Sequence, residues 1–295
     1  MSDIKNRIGV LGATSLVGKC LLPLLTEARL QVTAFSRQEI ESLGDGVEWR
    51  PLSSSPPATL TVKAEEGIPL WVCVAPIWVL LEYFDFLEAH GARRVVVLSS
   101  TSRFTKNDSA DSEEQYVARR LADAETHVQK WAENSGVEWV ILRPTLIYGL
   151  GRDKNISEIA RFICRFGFFP LFGKACGLRQ PIHAADVASA CLAALHSHSA
   201  VNRAYNISGG EMLAYRDMVI RIFTALGRRP HLLTVPLWAF RLAVAMLHCI
   251  PRYRKWSSAM AERMNRDLVF DHAEAARDLG FKPRMFVLGA GDWPA

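Results

Sequence analysis

The strongest constraint on the fold of this chain is a glycine-punctuated turn close to its N-terminus. Residues 8–18 read IGVLGATSLVG, which places Gly12 and Gly18 on either side of a turn between a short apolar strand and a helix. The first glycine permits the tight turn, and the last permits close packing of helix against strand. The free N–H groups at the start of such a helix attract the phosphates of a dinucleotide. The turn therefore predicts an α/β fold with a dinucleotide bound at its first strand.

The first 150 residues alternate short β-rich runs with longer helical periodicity, which is typical of parallel βαβ units. We predict strands at 7–11, 31–36, 47–50, 70–75, 94–99 and 138–143, and helices at 16–28, 77–90 and 113–134. Joined by right-handed crossovers, these units form a doubly wound parallel Rossmann sheet.

The pattern changes after Gly149, where aromatic residues and glycines become frequent. A strand–helix unit at 180–196 and a short strand at 204–207 then follow. We assign residues 1–150 and 180–208 to the dinucleotide-binding domain. Residues 151–179 and 209–295 are predicted to form a smaller, interleaved C-terminal substrate-binding lobe.

Composition excludes several other classes of protein. The sequence is 49% hydrophobic and 22% charged, which fits a globular chain rather than a disordered one. The net charge of +5 comes without a basic stripe interleaved with aromatic residues, so we expect small anionic ligands and no nucleic acid. The six cysteines lack metal-ligand spacing, so we expect reduced thiols and no metal. No signal-peptide pattern precedes the first strand, and a cytoplasmic location is expected.

The end of the second predicted strand bears on the choice of cofactor. Phe35-Ser36-Arg37 lacks the acidic residue that would bind an adenosine ribose hydroxyl, and it supplies a cation suited to a 2′-phosphate. We therefore expect NADP, with NAD as the alternative. Ser15 replaces the middle glycine of the usual pattern, and its hydroxyl could cap the helix or touch phosphate.

Further motifs follow the glycine turn in a fixed order along the chain. They are Gly12-x-x-Ser15-x-x-Gly18, Val97-Leu98-Ser99-Ser100-Thr101, Tyr116, Leu142-Arg143-Pro144-Thr145-Leu146-Ile147-Tyr148-Gly149, Arg179-Gln180-Pro181-Ile182-His183-x-x-Asp186-Val187-Ala188 and Tyr205-Asn206-Ile207-Ser208-Gly209-Gly210. Together they resemble the extended short-chain dehydrogenase/reductases, the NAD-dependent epimerase/dehydratase family. The resemblance extends through residues 276–283 and so spans almost the whole chain.

The resemblance implies acid/base chemistry near the fifth strand and on the helix that follows it. The family uses a Ser or Thr to hydrogen-bond substrate, a Tyr as acid/base, and a Lys four residues later that holds the cofactor ribose. Thr101 matches the first position, with Ser100 as a neighbour that could substitute. Tyr116 matches the tyrosine, and Arg120 stands in place of the lysine. Read one residue out of register, the helix has Glu125 in the family's later acidic position and Leu121 where the lysine belongs, which leaves no basic residue.

The resemblance also implies binding residues. The expected cofactor contacts are Gly12, Thr14, Ser15, Leu16, Val17, Gly18, Arg37, Ala75, Ser99 and Pro144. Arg179 matches the position that reaches the diphosphate of a nucleotide sugar in the sugar epimerases, a group that suits a bidentate cation. A homodimer, formed through the region of the long fourth helix, is implied as well.

These features predict an NAD(P)-dependent oxidoreductase or epimerase/dehydratase that acts by hydride transfer. Its expected substrate is a carbinol or carbonyl compound, such as a nucleotide- or lipid-linked sugar. Because Arg120 replaces the family lysine, an NADP-binding sensor or assembly protein with little turnover is the alternative.

The apolar stretch at 232–250 is nearly long enough to span a bilayer. Pro236, Arg241 and His248 argue against a spanning helix, so a core or lid helix is expected. Together with the basic cluster at 252–256, this stretch could instead lie on a membrane surface.

Overall fold

A computed structural model describes residues 6–38, 40, 46–52, 67–106, 111–238 and 258–293. Residues 239–250 of the apolar stretch and the basic cluster at 252–256 lie outside these residues.

Strands β1 to β13 are Arg7–Leu11, Gln31–Ser36, Val47–Pro51, Leu70–Cys73, Arg94–Leu98, Glu138–Pro144, Ile147–Tyr148, Phe169–Phe172, Leu178–Arg179, Ile182–His183, Arg203–Ile207, Leu213–Ala214 and Leu232–Val235. Helices α1 to α10 are Leu16–Glu27, Ile77–Leu80, Phe84–Ala89, Ser102–Thr105, Ser112–Ser135, Ile156–Phe166, Ala184–His196, Tyr215–Ala225, Ser258–Arg263 and Ala273–Leu279. Short 3₁₀ turns lie at Leu81–Tyr83, His198–Ala200 and Ala290–Asp292.

A seven-stranded parallel sheet organises the chain, in the order β3-β2-β1-β4-β5-β6-β11. Strand β5, with the sequence RVVVL, is buried along its whole length, as expected of a central strand covered by helices on both faces. The order of strands reverses between β1 and β4, and ligands of such sheets lie beyond the carboxyl ends of the strands at this point. The predicted doubly wound parallel sheet is confirmed.

Helices cover both faces of the sheet. Helices α1 and α7 pack together on one face, where their apolar side chains join the inward residues of the strands in one hydrophobic cluster. Helices α2, α3 and α5 cover the other face through a second cluster. A third cluster joins α6, β8 and α8 outside the sheet. The proposed boundaries between a dinucleotide-binding domain and a substrate lobe stay a prediction.

Two predicted elements differ from the structure. The helix expected at 77–90 is divided into α2, a 3₁₀ turn and α3. The stretch expected to form a core or lid helix from residue 232 begins instead as strand β13, which pairs in parallel with β8. Pro236 follows β13 directly, and a residue that precedes proline is biased towards extended backbone. Among the described residues, no helix is both long enough and apolar enough to cross a membrane.

Candidate dinucleotide site

A cleft of about 430 Å³ opens at the carboxyl edge of the sheet, where β1, β4, β5 and β6 end. A larger groove, about 1020 Å³, opens at the opposite edge, beside the residues that precede the strands. We take the smaller cleft as the candidate site because strand carboxyl ends are where ligands of this fold lie. Its lining residues are Ser15, Leu16, Val17, Val74, Ala75, Pro76, Ile77, Trp78, Leu98, Ser99, Ser100, Ser102, Val117, Leu121, Pro144, Ile147, Arg152, Asp153 and Lys154.

The glycine turn leaves no room for side chains at either end. Gly12 has a φ of +84°, and a Cβ on it would lie 2.4 Å from the backbone nitrogen of Ala75. A Cβ on Gly18 would lie 2.3 Å from the carbonyl oxygen of Ala13. Contacts this short are far inside van der Waals distance. The turn therefore requires glycine at both positions, as the sequence predicts.

Ser15 begins α1 as its N-cap. Its Oγ accepts a hydrogen bond from the backbone N–H of Gly18 at 3.1 Å, and its own N–H donates to the carbonyl of Gly12 at 2.9 Å. Ser15, Leu16 and Val17 line the cleft, and Thr14 beside them is exposed. No acidic side chain occupies the first turn of α1. The positive end of the helix therefore meets the cleft without a carboxylate in its own first turn.

Three of the other predicted contacts also lie on the cleft wall. Ala75, Ser99 and Pro144 follow or end β4, β5 and β6 and line the cleft beside the glycine turn. The structure therefore brings together the predicted residues that stand at the strand ends.

Arg37 lies directly after β2 and is exposed. Its charge acts on Tyr83, whose pKa is raised by burial and by the nearby Glu82 and is lowered in part by Arg37. Arg37 thus stands at the same edge of the sheet as the cleft, next to the strand that neighbours β1.

Helix α5 presents different residues to the cleft from those expected. Tyr116 is 61% exposed and does not line the cleft, and the Arg120 guanidinium lies 4.3 Å from the ring centre of Trp78. Val117 and Leu121, one residue further along, line the cleft instead. A shift of one residue rotates a side chain by about 100° around a helix. The catalytic roles expected of Tyr116 and Arg120 stay a prediction that this placement does not favour. The alternative register assigns the lysine position to Leu121, which lines the cleft.

Ser100, rather than Thr101, offers a hydroxyl to the cleft. Thr101 is buried, and its Oγ1 donates to the carbonyl of Pro144 at 3.2 Å. Ser100 and Ser102 line the cleft, and Ser100 Oγ accepts from the Ser102 N–H at 3.1 Å. The hydroxyl of Thr101 is thus committed to tying the end of β5 to β6, and the neighbour that the sequence left open faces the cleft.

Arg179 is only 4% exposed and does not line the cleft. One guanidinium nitrogen donates to the carbonyls of Leu178 and Arg266, both at 2.8 Å, and the other donates to the carbonyl of Arg263. Burial lowers the pKa of Arg179 to about 10. These contacts hold β9 against the segment that follows α9. Its role as a substrate ligand stays a prediction that this placement does not favour.

A buried ionic cluster that the sequence analysis did not identify lies behind the cleft wall. The Glu125 carboxylate is 1% exposed and accepts from Ser99 Oγ at 2.5 Å and from Arg143 Nη2 at 2.6 Å. It also pairs with Arg103. Helix α5, strand β6 and helix α4 are thereby joined around one carboxylate. The sequence signals for this cluster were the LRP motif, which contains Arg143, and Glu125, which the alternative register places at the family's later acidic position.

Two cations at the cleft were also missed. Arg152 and Lys154 are exposed, line the cleft and form no side-chain ion pair among the described residues. Between them, Asp153 is buried, and its carboxylate accepts from the backbone N–H groups of Asn155 and Ser157 at the start of α6. Asp153 thus fixes the loop, and its neighbours supply unpaired positive charge at the cleft. Their positions, three and five residues after Gly149, were the available signal.

Comparison with known proteins finds a match between part of this chain and a protein family. Residues 77–208 match the NAD dependent epimerase/dehydratase family, a match that begins at α2 and ends directly after β11. The glycine turn lies before the matched range, so its geometry is independent support for a dinucleotide site.

Two curated relatives align over much of the chain. UDP-glucose 4-epimerase of Vibrio cholerae is 23% identical over 180 residues, which cover 61% of this chain and 52% of that protein. Mitochondrial NADH dehydrogenase (ubiquinone) 1 alpha subcomplex subunit 9 of Dictyostelium discoideum is 25% identical over 228 residues, which cover 72% of this chain and 62% of that protein. The chain thus spans about half to three-fifths of the length of these relatives.

A solved structure shares the fold over nearly the full length. MoeE5, in complex with UDP-glucose and NAD, superposes with a TM-score of 0.69 at 19% sequence identity, covering 97% of this chain and 95% of that one. At this identity the likeness establishes the fold.

Proposed function

We propose, from the match of residues 77–208 to the NAD dependent epimerase/dehydratase family, that this chain binds a nicotinamide dinucleotide at the glycine turn and acts on a diphosphate-bearing small molecule. The observation that carries the proposal is the geometry of the turn. Gly12 and Gly18 leave no space for a Cβ, and the capped start of α1 faces the cleft. Backbone N–H groups at such a helix start suit a pyrophosphate.

The residues of the cleft fit the parts of a dinucleotide. The N–H groups that follow Ser15 would hold the pyrophosphate, and Arg37 would hold a 2′-phosphate. Ala75, Ser99 and Pro144 would border the nicotinamide half. Support for NADP over NAD is the cation after β2, since a ribose hydroxyl would favour a carboxylate there. MoeE5 itself was solved with NAD, so the preference rests on Arg37 alone.

The proposed chemistry is hydride transfer at a carbinol or carbonyl carbon, which the nicotinamide would supply when bound. Ser100 and Ser102 place hydroxyl groups at the cleft that can hydrogen-bond such an oxygen. Arg152 and Lys154 offer the positive charge that a diphosphate requires. A nucleotide-linked sugar is the proposed class of substrate, in line with the UDP-glucose bound to MoeE5.

A second candidate function is favoured by Val117 and Leu121. These apolar side chains fill the α5 positions that face the cleft, so helix α5 offers no proton donor and no ammonium there. A protein that holds its dinucleotide with little turnover, as a sensor or an assembly component, would need neither. One relative is a subunit of NADH dehydrogenase by name, which suits this reading. We further propose a cytoplasmic location and a homodimer, which rest on the sequence and the resemblance.

Calorimetric titration with NADP(H) and NAD(H), followed by a turnover screen with UDP-sugars, tests these proposals. Binding of one NADP(H) per chain with conversion of a sugar nucleotide supports the first function, and binding without conversion supports the second. Failure of both cofactors to bind contradicts both.

The Arg37→Asp variant tests cofactor preference. Because it replaces the cation with a carboxylate, it is expected to invert the order of NADP and NAD affinity. Equal affinities of the unaltered protein for the two cofactors would rule out the role given to Arg37.

A further inference from the structure

A basic aromatic surface lies on the part of the chain built from α6, β8 and β13. We define it by Arg165, Phe166, Arg229, His231, Leu233 and Trp238, all of which are exposed. None of them lines the cleft, so the proposed dinucleotide site does not account for them.

Several contacts bring these residues together. Arg228 Nη1 donates to the carbonyls of Ile163 and Cys164 at 3.0 and 3.2 Å, which fixes the turn after α8 to the end of α6. Strand β13 pairs with β8, so that Leu233 lies opposite Pro170. The rings of Phe168 and His231 lie 6.4 Å apart between centres. These contacts join the end of α6 to the strand pair β8 and β13, and Trp238 lies three residues after β13.

The surface exposes large apolar side chains to an unusual degree. Phe166 and Leu233 are each 51% exposed, and Trp238 is 71% exposed. Single exposed apolar residues are ordinary, but a group of them marks an interaction site. The Arg165 guanidinium lies 5.3 Å from the centre of the Phe166 ring, so charge and aromatic surface are combined in one place.

Acidic residues are absent from two long segments that carry this surface, and Glu158, at the start of α6, pairs with Arg161. The chain carries 30 Asp and Glu residues, yet neither 159–176 nor 218–238 contains one. Arg165 and Arg229 have no ion-pair partner among the described residues. The surface therefore presents uncompensated positive charge around its apolar side chains.

We propose that this surface docks on an anionic lipid bilayer. Trp and Phe favour the boundary between headgroups and acyl chains, and Arg residues beside them are attracted to anionic headgroups. Protein interfaces also combine aromatic residues with Arg, so binding of an acidic protein through the same residues is a separate outcome of the test below. The described residues hold no spanning helix, so the contact is peripheral.

Sedimentation of the full chain with lipid vesicles tests this proposal. We expect binding to vesicles of phosphatidylcholine mixed with phosphatidylglycerol, weak binding to phosphatidylcholine alone, and release by salt. The double variant R165E/R229E should bind the anionic vesicles at least about tenfold more weakly, since each surface cation contributes several-fold in affinity. The variant L233S/W238S should lose the part of the vesicle binding that persists at high salt.

Matched controls carry the same changes elsewhere. R93E/K130E alters charge equally at two exposed cations, and M212S/V287S removes two other exposed apolar side chains. Both should bind vesicles like the unaltered chain. Cofactor titration and circular dichroism should give the same result for all variants, so that misfolding is recognised.

Three results would overturn the proposal. The first is that the chain shows no preference for anionic vesicles. The second is that the surface variants and the control variants lose vesicle binding equally. The third is that the chain binds no vesicles but binds an acidic protein through the same residues.

Discussion

At the residue scale, the cleft depends on positions where a side chain has no space. Gly12 combines a positive φ with a close approach to Ala75, whereas Gly136, at the end of α5, has a φ of +66° and nothing within 4 Å of a built Cβ. An alanine at Gly136 would introduce backbone strain alone, whereas an alanine at Gly12 would introduce both backbone strain and steric overlap.

Gly12→Ala is expected to lower the free energy of unfolding by more than Gly136→Ala and to abolish cofactor binding. Left-handed backbone costs a residue with a Cβ about 1–2 kcal/mol, which both variants incur. Only Gly12→Ala adds the overlap with Ala75. Chemical denaturation and cofactor titration measure the two effects. Equal losses of stability with cofactor binding retained would contradict the geometry given for the turn.

The register of α5 gives a second test at single residues. Tyr116→Phe is expected to leave cofactor affinity and any turnover unchanged, because its side chain lies outside the cleft. Arg120→Ala should cost about 0.5–1 kcal/mol of stability through the lost cation–π contact with Trp78.

By contrast, Val117→Tyr with Leu121→Lys places a phenol and an ammonium one turn apart on the cleft wall.

We expect that double variant to raise turnover of a bound substrate, since general acid/base catalysis contributes roughly 10²–10⁴-fold where it is well placed. Single-turnover kinetics would measure the change. Loss of activity in Tyr116→Phe would show that the exposed tyrosine takes part after all.

At the element scale, the start of α1 has two separable roles. The hydroxyl of Ser15 caps the helix, and the exposed end of the helix dipole faces the cleft. Asp is as good an N-cap as Ser, but it adds a negative charge.

Ser15→Ala should therefore cost about 1 kcal/mol of stability through loss of the cap. Ser15→Asp should keep the stability and weaken cofactor binding more than Ser15→Ala does, because its carboxylate repels a pyrophosphate. Added salt should reduce that difference by screening the charges. Thermal unfolding and titration at two salt concentrations provide the comparison. Tighter binding by Ser15→Asp would mean that phosphate does not lie at this helix start.

At the scale of the whole molecule, buried tyrosines make the stability of the fold depend on pH. Burial raises the pKa of Tyr148, Tyr205 and Tyr215 to about 12, from an ordinary value of 10.0. Asp278 also contributes at Tyr205, which donates a hydrogen bond to it at 2.9 Å. Each folded phenol thus holds its proton more tightly than the unfolded chain does.

The stability that these phenols contribute is therefore fully present below pH 10 and is lost as the pH rises from 10 towards 12. We expect the denaturation midpoint to fall across that range, and Tyr148→Phe to make the fall shallower. Tyrosinate absorbance of the folded protein measures the ionisation directly. Ionisation of all the tyrosines near pH 10, with the fold intact, would contradict this account.

The sequence by itself determined the glycine turn, the parallel sheet and the strand-end residues Ala75, Ser99 and Pro144. These features depend on local backbone sterics and on the alternation of apolar runs, both of which can be read along the chain. Because the carboxyl ends of parallel strands lie at one edge of a sheet, the sequence also predicted that Ala75, Ser99 and Pro144 lie at the same edge. The resemblance to the epimerase/dehydratase family came from the same local motifs.

Only the tertiary structure decided which side chains reach the cleft. One residue of register on α5 separates Tyr116 from Val117, and the packing of the helix against the sheet sets that rotation. Arg179 binds carbonyls that come from residues more than 80 positions away. Arg152 and Lys154 have no ion-pair partner among the described residues, which depends on what folds around them. Such long-range pairings leave no periodic signal in the sequence, because they arise from how whole elements pack together.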